Sequence, residues 1–391
     1  MALNTISSDR LSTNVKNTNF TAAEKQDLTD DILPLAGQLG NRNLIINGAM
    51  NVAQRGTSST ANTYGSVDRI RISSGGTDEA PTHSQADVAA ATTPYTSGFR
   101  KALKITNGNQ TSGAGADDSI TFVYTVEDRD LATSGWNHKS SSSNITISFW
   151  VKSSVSQNFY FTIQSDNSSQ YRYVMETGSL TADTWTKITK TIPGNTNLVF
   201  NNDNGVGVYI IWNLFNGTNR TGTRPLNAWA ALDNTSRTPD MTSTWYTTND
   251  ATFEITGIQL EVGSVATDFE HRSFGDELQR CKRYYEVLVS GSGKTWGGAA
   301  VMYLANQTHH QCTFVEKRAT PTLDYVSGTN YYRYYSNDSN AHSSTLDQFL
   351  YVTPRSAGII ANTLSSNLVA GGAAFSYTTN ASAFVAISAE L

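Results

Sequence analysis

The stretch Thr252–Glu286, TFEITGIQLEVGSVATDFEHRSFGDELQRCKRYYE, decides how this chain folds. It opens as a strand, because Phe253 and Ile255 alternate with Thr252, Glu254 and Thr256 in the period of two that a half-buried strand needs. Gly257 shifts the phase, and the apolar set becomes Ile258, Leu260 and Val262. A glycine at a phase change predicts a β-bulge. Beyond Asp268 the period lengthens. Ser273 with Asp276 three residues on reads as a helix cap, and Leu278, Cys281, Tyr285 and Leu288 recur at helical spacing. A linker helix over 273–288 is therefore expected, separating one sheet structure from another.

Working outward, the same period of two runs through the preceding two hundred residues. Ile145, Ile147, Phe149 and Val151 share one face; so do Ile120, Phe122, Tyr124 and Val126, then Phe159, Phe161 and Ile163, then Val208, Ile210, Trp212 and Leu214. Turn-rich links such as Pro193–Asn197 and Asn201–Gly205 separate them. Many alternating strands at this spacing predict an all-β fold, with a jelly-roll β-sandwich over 43–272. Residues 289–391 repeat the pattern on a smaller scale, in Val301 and Tyr303, Cys312 and Phe314, Phe349–Val352 and Ala383–Ile387, and predict a C-terminal β-sandwich. Residues 1–42 are polar but carry a capping box, Thr21 to Glu24, and an apolar stripe of Leu28, Ile32 and Leu35. That predicts one short helix, which cannot fold alone and packs either on its own sandwich or on a partner.

Composition narrows the function classes. Charged residues make up 16% of the 391, against an average of about 25%, and the polar bulk is Asn, Ser, Thr and Gly. The net charge of −5 and the lack of a Lys/Arg cluster argue against a nucleic-acid surface. No apolar run approaches the ~18 residues needed to cross a bilayer, and the start, MALNTISSDRLST, has no signal-peptide core. Cys281 and Cys312 belong to no CxxC pair, so a zinc site is not indicated. A disulfide between them would tie a helix to a strand; buried free thiols are the plainer expectation.

The run ITGIQLEVGSVATDFEHRSFGDELQRCKRYY, Ile255–Tyr285, resembles the junction found in many bacteriophage tail-fibre and receptor-binding proteins. Further segments resemble the same proteins in the same order: NLIINGAMNVAQRGTS at Asn43–Ser58, SVDRI at Ser66–Ile70, NITISFWVKSS at Asn144–Ser154 and KRATPTLDY at Lys317–Tyr325. These motifs are structural and name no catalytic residue. What the resemblance implies is a virion protein assembled in the host cytoplasm, with a jelly roll like a carbohydrate-binding module. Residues 1–42 would dock on other virion proteins, and the chain would form a homotrimer. Its role would be attachment to host cell-surface glycan without catalysis and without a cofactor. A structural part of the virion (head fibre, decoration or tail adaptor) and a polysaccharide depolymerase are the alternatives.

Residue by residue, the aromatics are the best binding candidates. Trp150 and Tyr160 lie opposite the aliphatic stripes of their strands, and Tyr171 and Tyr173 follow closely with Asp166 among them. Sugar rings pack their C–H faces on such rings while amides and carboxylates take the hydroxyls. Tyr332 and Tyr334, in the YYRYY run at Tyr331–Tyr335, form a second cluster. The other role open to all of them is packing, in a core or between subunits. Catalysis would need two facing carboxylates; Glu127, Asp128, Asp130, Glu254 and Glu261 are present, but no pattern pairs them. Glu127→Gln and Glu254→Gln should leave folding and binding largely intact in a protein that only binds. The six histidines lack metal-ligand spacing. Asn201–Gly205 offers oxygen ligands for calcium, though a plain turn reads better.

Overall fold

The predicted inward stripes are buried stripes. Ile145, Ile147, Phe149 and Val151 are sealed, as are Ile120, Phe122, Phe161, Ile163, Ile210 and Trp212. The computed structural model describes residues 42–167, 170–362 and 364–391; the helix expected between Thr21 and Leu35 lies outside the described residues.

Two six-stranded antiparallel sheets stack to make the sandwich. The front sheet runs, edge to edge, Ser58–Ser59, Thr82–Asp87, Lys101–Thr106, Thr252–Val262, Asn144–Ser153 and Thr186–Pro193. The back sheet runs Trp229–Ala231, Tyr171–Ser179, Asn158–Ser165, Val206–Asn216, Ser119–Glu127 and Ile70–Gly75. Most neighbours in each sheet come from distant parts of the chain, as a jelly roll requires. Between the sheets Phe122 stacks on Trp212 at 4.8 Å, and Phe149 meets Phe161 and Trp212 edge-on at 5.0 and 5.8 Å. Thr252–Val262 lies centrally, paired on both sides, and is buried along nearly its whole length. The bulge expected at Gly257 is there: the register slips between Thr256 and Gln259, with Gly257 at φ +65°.

The helix is shorter than its periodicity suggested. Ser273 caps it by accepting from the Asp276 amide, but it spans only Phe274–Lys282. Tyr285 and Leu288 belong instead to a strand, Tyr285–Ser290, paired with Phe384–Ser388. YEVLVS is rich in β-forming residues, and cross-strand pairing outweighs an apolar spacing that also suits a helix. Tyr285 stacks on Phe384 there.

The C-terminal residues form two sheets around a second apolar cluster. A small sheet holds Tyr285–Ser290, Phe384–Ser388 and Thr322–Tyr325. A large one runs Ser339–Ser343, Tyr332–Ser336, Ala373–Thr378, Ala300–Leu304, Gln307–Thr313, Ser356–Ala361 and Gln348–Leu350. Cys281 and Cys312 are both buried free thiols.

The two sheet systems meet over a buried polar junction within one compact unit from Asn43 to Leu391. Arg69 pairs with Glu390 at 2.6 Å and lies 3.4 Å from the Tyr284 ring centroid. Glu127, 1% exposed, accepts from Arg283 at 2.7 Å and from the Tyr284 hydroxyl at 2.9 Å. Arg318 donates to the carbonyls of Ala389, Glu390 and Asn204. Burial pushes the neighbouring Asp68 carboxyl up to about 6, against the hydrogen bonds that Gln54 gives it. The DR, RYY and KR segments thus have structural work here: each supplies a junction contact. The expectation that Glu127→Gln is innocuous is corrected, since that carboxylate is sealed under two donors.

Candidate functional site

A cleft of about 510 Å³ lies on the outward face of the front sheet. Trp150 lines it. Its strand, Asn144–Ser153, turns Phe149 and Val151 to the core, so Trp150 must face out. The register sets Thr256 on one side of Trp150 and Lys187 on the other. Lys152, two residues along, pairs with Glu254 at 3.0 Å and sits 5.2 Å from the Trp185 ring centroid.

The opposite wall is built by two loops. Phe99, Phe269 and His271 pack together, with ring centroids 4.8 to 5.2 Å apart. Phe99 rests over the bulge, where a Cβ on Gly257 would come within 2.5 Å of its ring. His271 Nε2 is 3.0 Å from the Ser97 carbonyl, tying the two loops to each other.

What holds the second loop is the QLE motif. Gln259 and Glu261 lie on the same outward face as Trp150, but they are buried because the loop folds over them. Glu261 accepts from the Thr267 amide at 2.9 Å and its hydroxyl at 2.6 Å, and Gln259 accepts from the Glu270 amide at 2.8 Å. Glu270 accepts in turn from the Asn43 amide at 2.7 Å, while Arg272 donates to the Ile45 and Asn43 carbonyls. Glu277, on the helix, accepts from the Asn47 amide. The NLIIN, QLE, FEHR and ELQRC segments therefore form one hydrogen-bonded latch whose outcome is a fixed Phe269 and His271 at the cleft.

The sequence candidates do not form one platform. Trp150 faces out of the front sheet and lines the cleft. Tyr160 is half-buried on the outer face of the back sheet, opposite Asn213 and Glu176. Tyr171 and Tyr173 point inward, since Tyr173 pairs with core Ile163; Tyr173 is buried against Trp229 at 5.3 Å, and Tyr171 packs on the core. Asp166 ends its strand and accepts from Gln170 at 2.7 Å. Two rings opposite their aliphatic stripes point the same way only if their strands share a sheet, and these do not.

Tyr332 and Tyr334 are corrected outright. They are 0% and 1% exposed and pack edge-on against Trp296. The Tyr332 hydroxyl donates to the Val326 and Phe384 carbonyls, and burial pushes both phenols well up.

Sequence reasoning missed Phe99, Phe269, His271 and Lys187. The alternation of Phe269 and His271 within the FEHR segment is the sequence signal that puts both on one side of the loop. Phe99 and Lys187 come close to Trp150 only through pairing of distant strands.

The other candidate groups are engaged locally. Asn201–Gly205 is a turn: its Asp203 and Gly205 carbonyls accept from the Arg129 and Asp128 amides, and the Asp128 carboxylate accepts from the Asn201 amide and Asn167. Glu254 is held by Lys152.

No protein-family model matches this chain, and no curated protein matches it. Among solved structures it is similar to the enzymatically active domain of bacteriophage CBA120 tailspike protein 4, at TM-score 0.30 and 10% identity over 56% of this chain. It spans only 21% of that domain's length. A structure described as CBM4 has TM-score 0.28 and 13% identity, over 56% of this chain and 98% of that one. The N-terminal cellulose-binding domain of Cellulomonas fimi β-1,4-glucanase C has TM-score 0.25 and 10% identity, over 55% and 99%. Scores this low leave the fold assignment to the sheets themselves, whose order and packing make the protein an all-β jelly-roll sandwich joined to a smaller β structure.

Proposed function

We propose that this protein is an attachment protein that holds surface glycan in the front-sheet cleft and does not cut it. The observation that carries the reading is the cleft's make-up. An outward Trp150 beside Lys187 faces a wall of Phe99, Phe269 and His271. Aromatic rings offer a seat for the C–H face of a sugar, and the ammonium and imidazole groups around them suit its hydroxyls. The loops are latched to the sheet by buried bonds, so the site is formed before a ligand arrives, which spares ordering entropy.

The resemblance of Ile255–Tyr285 to phage tail fibres supports placing the chain on a virion, with the host as the glycan's source. Docking through 1–42 and a homotrimer belong to the same proposal; weak single sites would then act together through avidity. Absence of catalysis is supported by the carboxylates: Glu127, Glu254 and Glu261 each hold a structural partner.

Purified protein on an immobilised panel of bacterial surface polysaccharides tests this. Trp150→Ala should weaken binding at least about tenfold with a melting temperature close to that of the native chain, because the ring is only half-buried. Undiminished binding by that variant would remove the cleft from the argument. New reducing ends released from the bound polysaccharide would make it an enzyme.

A further inference from the structure

We infer that the exposed face of the large C-terminal sheet carries a second saccharide site, for an uncharged sugar ring stacked on Tyr351. The inference rests on separate observations from the front-sheet cleft and stands independently of it.

The register defines a groove. Val301 pairs with His309, and His309 with Ile360; beside them Gln311 pairs with Gly358, and Gly358 with Leu350. Val301, His309, Gln311, Gly358 and Ile360 thus share the outward face. They line a groove of about 440 Å³ together with Tyr351. Tyr303 backs the His309 ring at 4.6 Å and 25°. Gly358 leaves the floor open beside Tyr351: a Cβ there would stand 3.7 Å from the Tyr351 ring.

Tyr351 is the unusual residue. Its φ is +54°, in the left-handed region that a bulky side chain occupies only with strain. Among the described non-glycine residues with positive φ, all but three are Asn or Asp, which tolerate it. Two of those three, Met50 and Arg69, are sealed in the fold, where packing supports the conformation. Tyr351 is 83% exposed, so the packing that supports the other two is largely lacking. An Asn or Gly would relieve the backbone. A ring kept there at a conformational cost is explained by something that binds the ring.

The chemistry of the groove names the occupant. Among the described residues no Lys, Arg, Asp or Glu lines it; its ionisable groups are the imidazoles of His309, stacked on Tyr303, and His310, stacked on Trp296, so a charged ligand would find no carboxylate, ammonium or guanidinium to pair with. The aromatic face of Tyr351, the flat glycine floor and the amide of exposed Gln311 suit the C–H face and hydroxyls of a neutral hexose.

The test uses the full chain against immobilised neutral oligosaccharides of glucose, galactose, mannose and N-acetylglucosamine, with an oligo-uronate as charged control. Tyr351→Asn should keep or raise the melting temperature, since it relieves strain, and yet lower avidity for a neutral member at least about tenfold. Gly358→Ala, which meets only ordinary contacts, should weaken the same interaction. Trp150→Ala should leave residual binding that adding Tyr351→Asn abolishes. The second site falls if Trp150→Ala alone removes all binding, an outcome that leaves the front-sheet cleft standing. It also falls if Tyr351→Asn binds like the native chain, if the residual binding prefers the uronate, or if the substitution changes only the sedimentation state. The last result would make the groove a contact between protein chains. No binding to any member by the native chain would overturn it too.

Discussion

Two outward sheet faces of this molecule, one in the sandwich and one in the C-terminal part, differ in what shields them. On the front sheet, loops fold over the surface and are tied down by Gln259 and Glu261, leaving a recess around Trp150. On the large C-terminal sheet Val301, Tyr303, Tyr351 and Phe375 stand 51–83% exposed. The difference teaches that similar sheets can shape an outward face in two ways. One is carved by buried polar bonds within the chain. The other is a bare face of exposed apolar side chains.

Acid should separate the two regions most. His310 lies inward from the bare face, stacked on Trp296 and bonded through Nδ1 to Ser376, and burial lowers its pKa to about 4. The unfolded chain takes a proton near 6.5, so stability is lost as pH falls from 6.5 towards 4, by on the order of 3 kcal/mol. Asp68, at the sandwich end of the junction, has the opposite sign. Its folded pKa of about 6 lies above the ordinary 3.8, so stability is gained as pH falls from 6 towards 4, again on the order of 3 kcal/mol. Hydrogen exchange should show Gln307–Thr313 losing protection over this range while the strands around Asp68 hold theirs. Equal loss in both would break the comparison.

The junction comes next. Glu127→Ala strips the acceptor from Tyr284 and from Arg283 and should cost about 2–3 kcal/mol. Calorimetry should then resolve two transitions, against a single one expected for the native protein. A single shifted transition would mean that the two regions are held together by something other than these groups.

Smallest is the effect of reshaping the cleft. Gly257→Ala puts a methyl against Phe99 at a left-handed position and should cost about 1–2 kcal/mol. It should also weaken glycan binding by displacing the Phe99 wall. Native affinity in this variant would sharpen the site down to Trp150 and Lys187 alone.

Much of the fold was legible. Strand after strand alternates cleanly, and a core between two sheets follows from burying one face of each. The bulge was readable because a glycine, which adopts positive φ without strain, sits at the phase change. The end of the helix was not, since Tyr285 and Leu288 satisfy helical spacing and strand pairing alike, and the choice lay with Phe384–Ser388, a hundred residues on. The candidate site was legible only at Trp150. Its partners were hidden because outward residues on one strand meet neighbours chosen by pairing.

Local periodicity by itself determined which residues of each sandwich strand share a face, since the pleat leaves no alternative. The same rule separated Tyr332 and Tyr334 from Tyr331 and Tyr335 without saying which pair would be buried. Which face is inside, which strands share a sheet, and hence that Trp150 and Tyr160 look in opposite directions, were decided by tertiary structure alone. Those outcomes depend on contacts between residues far apart in the chain, and a period of two carries no record of them.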